Sequence, residues 1–195
     1  MKSDICKLSN DTASLEALLL ETEKAASYSN LDKKQSMRLR LLAEELVGML
    51  PFLLDFSDGE FWVENEGKNF SLHVSLKPNE SLTMEKREKL LEVSTDGKNS
   101  ATVGIMAKIR IAAQFMLIDY EKNSAEMPAF YSYGTAEGMT VQSSVWSLST
   151  YRQKVGQEKD EKWDELEKSI VSNIADDVLV GLDGKKVDII VKKTF

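Results

Sequence analysis

Cysteine and histidine are almost absent from the sequence. The 195 residues include one cysteine, Cys6, and one histidine, His73. Because a single thiol cannot close an internal disulfide, the composition favours a reducing compartment. A zinc site or a Cys–His catalytic pair needs these residues in clusters, and the G-x-S-x-G motif of many hydrolases does not occur. The sequence therefore argues against a metal enzyme or a hydrolase.

Long apolar runs and dense positive charge are also missing. No stretch approaches the ~18 consecutive apolar residues of a membrane span, and the opening MKSDICKLSN lacks the apolar centre of a signal peptide. The formal net charge is −7. An acidic surface repels phosphate backbones, and the basic run at 33–40 is short. We therefore predict a cytoplasmic protein with no membrane segment and no nucleic-acid partner.

The composition is otherwise that of a folded domain, with 42% hydrophobic and 29% charged residues. Apolar residues at helical spacing predict two consecutive helices. Asp11, Thr12 or Ser14 can cap the first helix. The second helix is expected at 34–54, with Pro51 kinking or shortening its last turn. Its apolar stripe consists of Leu39, Leu42, Ala43, Leu46, Val47 and Leu50.

Two segments change to the period-two alternation of strands. In the first, 57–76, apolar residues alternate with polar ones on either side of the turn sequence ENEGK, which predicts a hairpin with one buried face. His73 falls on the polar face, where we expect a partly exposed histidine and not a metal ligand. The second segment, 177–193, predicts a closing hairpin around Asp183-Gly184. The buried face of the first hairpin is predicted to hold Phe61, Val63, Phe70, Leu72, Val74 and Leu76.

The remaining segments complete the predicted order. We expect a short strand at 3–9, helices at 79–93, 101–120 and 160–177, and one or two strands within 122–150. The order is then β-α-α-β-β-α-α-(β)-α-β-β, in which helices adjoin one another and strands form hairpins. Such an order predicts the α+β class: a two-layer α/β sandwich with helices on one face of a mixed, mostly antiparallel sheet.

This order resembles the histidine-kinase-like ATPase (GHKL) superfamily and, within it, the anti-sigma-factor serine kinases. ICKLSNDTASLEALLLE resembles the opening strand and helix, and LDKKQSMRLRLLAEELVGML resembles the N-box helix. GEFWVENEGKNFSLHVSL resembles the following hairpin, and STDGKNSATVGIMAKI resembles the lid and phosphate-binding helix. The resemblance covers 1–117 and 175–195 and implies a single domain, 1–195, with an atypical insertion at about 118–160.

The N-box of this family pairs a glutamate with an asparagine four residues later, on the same helical face. The resemblance implies that the glutamate, here Glu44, is the catalytic base of active members, and that the asparagine helps to hold Mg²⁺. The fourth residue on is Gly48, so the usual magnesium ligand is absent. Glycine within a helix costs about 1 kcal/mol relative to alanine, which suggests that backbone or a ligand approaches Gly48 closely. The alternative is a pair of surface charges, with Glu45 paired to Arg38 or Lys34.

Two other family motifs are reduced. The aspartate that reads the adenine amino group in the family has no counterpart after SLHVSL. Of the glycine-rich motif, whose backbone N–H groups bind phosphate at a helix N-terminus, only Gly104 survives. The alternative for this segment is a polar loop followed by an N-capped helix. The candidate nucleotide-binding residues here are Gly97, Lys98, Asn99, Ser100, Thr102 and Gly104.

The resemblance implies a divergent ATP-binding regulatory protein that holds ATP or ADP between Glu44, Gly48 and the segment 95–104. Mg²⁺ is a candidate cofactor that would lack its usual asparagine. Protein serine kinase activity remains open because Glu44 is retained. The alternative is a non-catalytic interaction module that has lost the nucleotide and binds a protein partner or a second copy of itself. Its working surface would be the exposed hairpin face or the 118–160 insertion.

Overall fold

The computed structural model of the protein describes residues 1–8, 12–79, 109, 112–113, 145–155, 170–183 and 186–195. The first part of the chain comprises β1 (Cys6–Leu8), α1 (Thr12–Tyr28), α2 (Lys33–Leu53), β2 (Phe56–Glu66) and β3 (Asn69–Pro78). The last part comprises β4 (Trp146–Ser147), α3 (Leu148–Val155), α4 (Ile170–Ile174), β5 (Asp177–Asp183) and β6 (Lys186–Thr194).

The helix α2 begins at a capping box. The Asp32 side chain accepts a hydrogen bond from the Gln35 backbone N–H at 2.8 Å, and the Gln35 side chain accepts one from the Asp32 N–H at 3.1 Å. These reciprocal bonds satisfy backbone donors that have no partner within the helix. The helix ends two residues after Pro51, with Leu54 as its C-cap. The prediction of a helix at 34–54 is therefore confirmed to within one residue at each end.

The strands form one six-stranded sheet in the order β1-β2-β3-β6-β5-β4. Every neighbouring pair among these strands is antiparallel. The α+β prediction is confirmed at this level, whereas the sheet is not mixed among the described strands. The two predicted hairpins pair with each other, because β3 lies directly beside β6.

Side chains alternate between the two faces of the sheet. The inner face, whose residues are all buried, carries Phe61, Val63, Phe70, Leu72, Val74, Leu76, Val178, Val180, Val187, Ile189 and Val191. We define the outer face by the partly buried residues Trp62, His73, Leu179 and Ile190 and the polar side chains in register with their neighbours. The predicted buried set of the first hairpin is thereby confirmed.

The helices pack on the inner face. Leu39, Leu42 and Leu46 of α2 are fully buried in the same apolar core as the inner-face strand residues. Trp146 of β4 and Tyr151 of α3 join this core, with ring centroids 6.1 Å apart. Ile109, Ala112 and Ala113, from the region predicted as a helix at 101–120, are also buried there. The described part of the protein is therefore a two-layer arrangement with the outer face of the sheet turned away from these helices.

Several predictions fall wholly or largely outside the described residues. These are the helix at 79–93, most of the helix at 101–120, and most of the segments 122–150 and 160–177. Within 122–150 the described part holds the short strand β4, as expected. The helix α3, which begins directly after β4, was not predicted. Of the helix predicted at 160–177, the described part forms α4, in which Val171 is buried and Ile170 is exposed. The predicted end is too late, because α4 ends at Ile174 and Asp177 begins β5.

Candidate functional site

Two residues of the predicted nucleotide site lie together on α2. Glu44 and Gly48 are one helical turn apart, and both are exposed. They lie on the side of the helix opposite the buried residues Leu39, Leu42 and Leu46. Position and exposure are therefore compatible with a ligand, and they are equally those of a solvated helix face.

The glycine in this pair has open space around it. A Cβ built on Gly48 has no neighbouring heavy atom within 4 Å among the described residues. Within the described ranges no backbone packs closely against Gly48, and the approach of a ligand or of another segment to this glycine stays a prediction. Gly59 shows the opposite situation, because a Cβ there would lie 2.9 Å from the Leu8 Cβ.

Glu45 differs from Glu44 in its surroundings. Glu45 is partly buried, whereas Glu44 is exposed. The ion pairs between described residues do not join Glu45 to Arg38 or Lys34, so that predicted pairing is not formed. A different basic residue of α2, Arg40, forms an ion pair, and its partner is Glu23 of α1.

The other candidate residues, Gly97, Lys98, Asn99, Ser100, Thr102 and Gly104, lie outside the described residues. The chain on either side of them is anchored. The Asn79 N–H donates to the Asp55 carbonyl oxygen at 3.1 Å, close to the C-terminal end of α2. Ile109 is fully buried in the core to which α2 contributes its apolar stripe. The described residues that flank the candidates are therefore Asn79, directly after β3, and Ile109, in the core.

A second cluster occupies the centre of the outer face. The strand register aligns Trp62, His73, Ile190 and Leu179 in one row across β2, β3, β6 and β5. The Trp62 and His73 rings stack, with centroids 4.8 Å apart and an interplanar angle of 8°. The His73 side chain is only 16% exposed. The prediction of a partly exposed histidine on the polar face is confirmed, and its stacking on Trp62 is an addition from the structure.

Glu64 connects three groups of this cluster. Its Oε1 accepts a hydrogen bond from the Trp62 indole N–H at 2.9 Å and lies 3.2 Å from the Lys2 Nζ. Its Oε2 lies 3.6 Å from the His73 Nε2. The hydrogen bond from Trp62 is the largest influence that lowers the pKa of Glu64, and Lys2 and His73 add to it. The Lys2 Nζ also lies 4.6 Å from the centroid of the Trp62 ring.

Burial lowers the pKa of His73 below its ordinary value, because desolvation disfavours the imidazolium. Glu64 and Asp188 oppose this effect, and Lys2 and Lys192 reinforce it. The His73 Nε2 is buried and has no hydrogen-bond partner within the part of the chain that the structure describes. The neutral ring is therefore the favoured form of His73 at neutral pH.

Asp188 is the second buried ionisable group near His73. Burial raises its pKa, and a hydrogen bond from Ser75, its cross-strand neighbour, lowers it in part. The Asp188 Oδ1 is buried and has no hydrogen-bond partner among the described groups. Period-two alternation could have assigned Asp188 to the polar face of its strand. The pairing of β6 with β3, which brings Asp188 to His73, could not be read from the sequence.

Metal and thiol chemistry find no support in the described residues. Within them, no group of three or more histidine, cysteine, aspartate or glutamate side chains could hold a metal ion. Cys6 is partly buried, and desolvation followed by the charges of Glu21 and Asp4 raises its thiol pKa. A raised pKa disfavours the thiolate that a nucleophile requires. None of the helices in the described ranges combines the length and apolar composition needed to cross a bilayer.

Comparison with known proteins assigns neither a family nor a function to this chain. No family model, no curated protein and no solved structure matches this chain.

Proposed function

We propose that this protein is a regulatory protein that binds an adenine nucleotide on the exposed face of α2. The observation that carries the proposal is the position of Glu44 and Gly48. They lie one turn apart on the side of α2 away from the core, with open space at Gly48 among the described residues. A ligand could approach the helix backbone there more closely than beside any larger residue.

The length of chain between the anchored residues supports this placement. Gly104 precedes the buried Ile109 by five residues, which span at most about 17 Å. The helix α2 has 21 residues and is roughly 30 Å long. Ile109 and α2 share one core, and we propose that the segment 97–104, which precedes Ile109, supplies the second half of the site. Their backbone N–H groups and the Lys98 side chain would supply the donors that phosphates require.

The fit of a magnesium ion at this site is limited. Among the described residues, α2 offers one carboxylate on its exposed face, that of Glu44, and Gly48 offers no side chain where the family has an asparagine. Mg²⁺ retains several water ligands in nucleotide sites and is bound through substrate phosphates and one or two carboxylates. A Mg–nucleotide complex would therefore rely on its phosphates, water and Glu44. In the proposed complex, Glu44 would accept a proton from the attacking hydroxyl of a substrate.

Isothermal titration with Mg-ADP and Mg-ATP, with Mg-GTP as a specificity control, tests the proposal. We expect saturable binding of the adenine nucleotides that weakens by roughly tenfold or more in Glu44→Ala, because a charged interaction is lost. Glu45→Ala is the matched control, since it removes the same charge from the neighbouring position, and should bind as the native protein does. Absence of binding by the native protein, or equal loss in both variants, would contradict the proposal.

A second candidate function is a protein-interaction module that works through the outer face of the sheet. The specific observation in its favour is the row of Trp62, His73, Ile190 and Leu179 at the centre of that face. A second copy of the chain is the occupant that we propose. The face carries Lys2, Lys7 and Lys192 together with Glu60, Glu64 and Asp188, so both signs are present on a chain whose net charge is −7. Two copies can therefore meet at this face without bringing together charges of only one sign, which would repel each other.

Sedimentation over a range of protein concentrations tests this second candidate. We expect the native chain to dimerise and Ile190→Glu to remain monomeric, because a carboxylate would enter the apolar row. Thr194→Glu is the control, since Thr194 lies on the same face of β6 at the exposed end of the strand. A native chain that is monomeric at every concentration would exclude the second candidate without affecting the nucleotide proposal.

A further inference from the structure

His73 lies between charged groups contributed by three parts of the structure. The strand β2 contributes Glu64, and the N-terminal segment contributes Lys2. The strand β6 contributes Asp188 and Lys192, which flank Ile190, the cross-strand neighbour of His73. All four of these groups act on the charge of the imidazole.

At the centre of this cluster, His73 and Glu64 lie close together without forming a hydrogen bond. The His73 Nε2 and the Glu64 Oε2 are 3.6 Å apart, which is too long for a hydrogen bond. A charge-assisted N–H to carboxylate bond is typically about 2.8 Å, so a closure of roughly 0.8 Å would form it. The Asp188 Oδ1 is a second buried acceptor without a hydrogen-bond partner among the described residues. An imidazolium would thus find carboxylate oxygens on both neighbouring strands.

We propose that His73 is a proton-operated contact on the outer face of the sheet. When its ring binds a proton, Nε2–H donates to the Glu64 Oε2 and closes the gap between them, and the ring becomes a cation beneath the Trp62 indole. The proton comes from solvent and no covalent bond is made or broken other than N–H. This inference does not depend on the proposed nucleotide site.

Protonation of His73 changes which groups interact with the Glu64 carboxylate. In the neutral state Glu64 serves the Trp62 indole N–H and Lys2. An imidazolium competes with Lys2 for the same carboxylate, and the stacked pair of Trp62 and His73 becomes a cation–π pair. The centre of the outer face therefore gains a positive charge on acidification, within the row of Trp62, His73, Ile190 and Leu179.

The presence of one histidine makes the test direct. In a ¹H–¹³C NMR titration of the native protein, the only imidazole signals belong to His73. We expect their midpoint to lie below the ordinary pKa of 6.5, because burial lowers the pKa of His73. We also expect the indole N–H signal of Trp62, assigned by its loss in Trp62→Phe, to shift with the same midpoint.

Charge variants identify the partners of the imidazolium. Glu64→Gln should lower the midpoint further, and Lys2→Met should raise it, because these side chains have opposite effects on the imidazole. Glu66→Gln is the matched control: Glu66 lies on the same face of β2 as Glu64 but is exposed and opposite Asn69, and its removal should leave the midpoint unchanged.

Either of two results would overturn the inference. One is a His73 midpoint at the ordinary value that neither Glu64→Gln nor Lys2→Met displaces. The other is an indole signal of Trp62 that does not follow the titration of His73. Lys2 is more than half exposed, so Lys2→Met keeps the test decisive even if Glu64→Gln does not fold.

Discussion

Two glycines of this protein have opposite surroundings. Gly59 is buried in β2, next to the register shift between Phe56 and Asp58. A side chain there would meet Leu8, Leu76 and Phe56 at 2.9–3.1 Å. Gly48 lies within a helix and has no described neighbour. The first glycine is therefore required by packing, whereas the second is not required by any described contact.

We expect Gly59→Ala to reduce the free energy of unfolding by about 1–3 kcal/mol, because the added methyl group overpacks the core. Urea denaturation of the native and variant proteins measures this change. The control is Gly48→Ala, which should stabilise the protein by up to about 1 kcal/mol, since alanine is the better helix former. A neutral Gly59→Ala, or a destabilising Gly48→Ala, would contradict this account of the two sites.

The sequence could predict side-chain faces at this scale but not contacts across the sheet. Alternation correctly assigned His73 to the polar face of β3 and Phe70 to the buried face. The environment of His73 depends on its pairing with Ile190 of β6, more than a hundred positions further along the chain. Periodicity predicts the local hairpin of β2 and β3 but carries no information about which hairpins become neighbours, so the approach of Asp188 to His73 was not predicted.

At the scale of elements, α2 shows how local signals determine a helix. Its apolar stripe, its start at Asp32 and its end near Pro51 are all properties of neighbouring residues. For this reason the sequence predicted its bounds closely. In contrast, α3 begins where Asp177 of β5 accepts hydrogen bonds from the backbone N–H and the hydroxyl of Ser149. This capping comes from a distant strand and could not be predicted locally.

The capping box of α2 makes a quantitative prediction. Asp32→Ala should reduce the free energy of unfolding by about 1 kcal/mol, because a backbone donor at the helix start loses its acceptor. Chemical denaturation followed by circular dichroism measures the effect. Asp32→Asn retains a side-chain acceptor and should be close to the native protein. If both variants lost the same stability, the charge of Asp32 and not its hydrogen bond would be responsible.

For the whole molecule, the buried ionisable groups predict how stability depends on pH. Because the folded state lowers the pKa of His73 below 6.5, the unfolded chain binds more protons between those two values. The contribution of neutral His73 is therefore complete above pH 6.5 and is lost as the pH falls through its lowered value. Asp188 acts in the opposite sense. Its pKa is raised from 3.8, so its contribution is present below that pH and is lost as the pH rises through the raised value.

We expect the free energy of unfolding to increase with pH through the range that ends near pH 6.5, and this increase to become smaller in His73→Gln. Urea denaturation at several values between about pH 5 and pH 8 measures both slopes. Asp188→Asn is the comparison variant, because it should raise stability at neutral pH by removing a poorly solvated carboxylate. An unchanged slope in His73→Gln would show that the histidine does not control stability in this range.

The central claim at this scale is that a nucleotide binds to the exposed face of α2. Backbone amide chemical shifts of the native protein, recorded during titration with Mg-ADP, test both the binding and its position. The account predicts saturable shifts centred on residues 41–48, with little change at His73 and Ile190 on the outer face. The absence of any shift in α2 at saturating nucleotide, or shifts confined to the outer face, would contradict it.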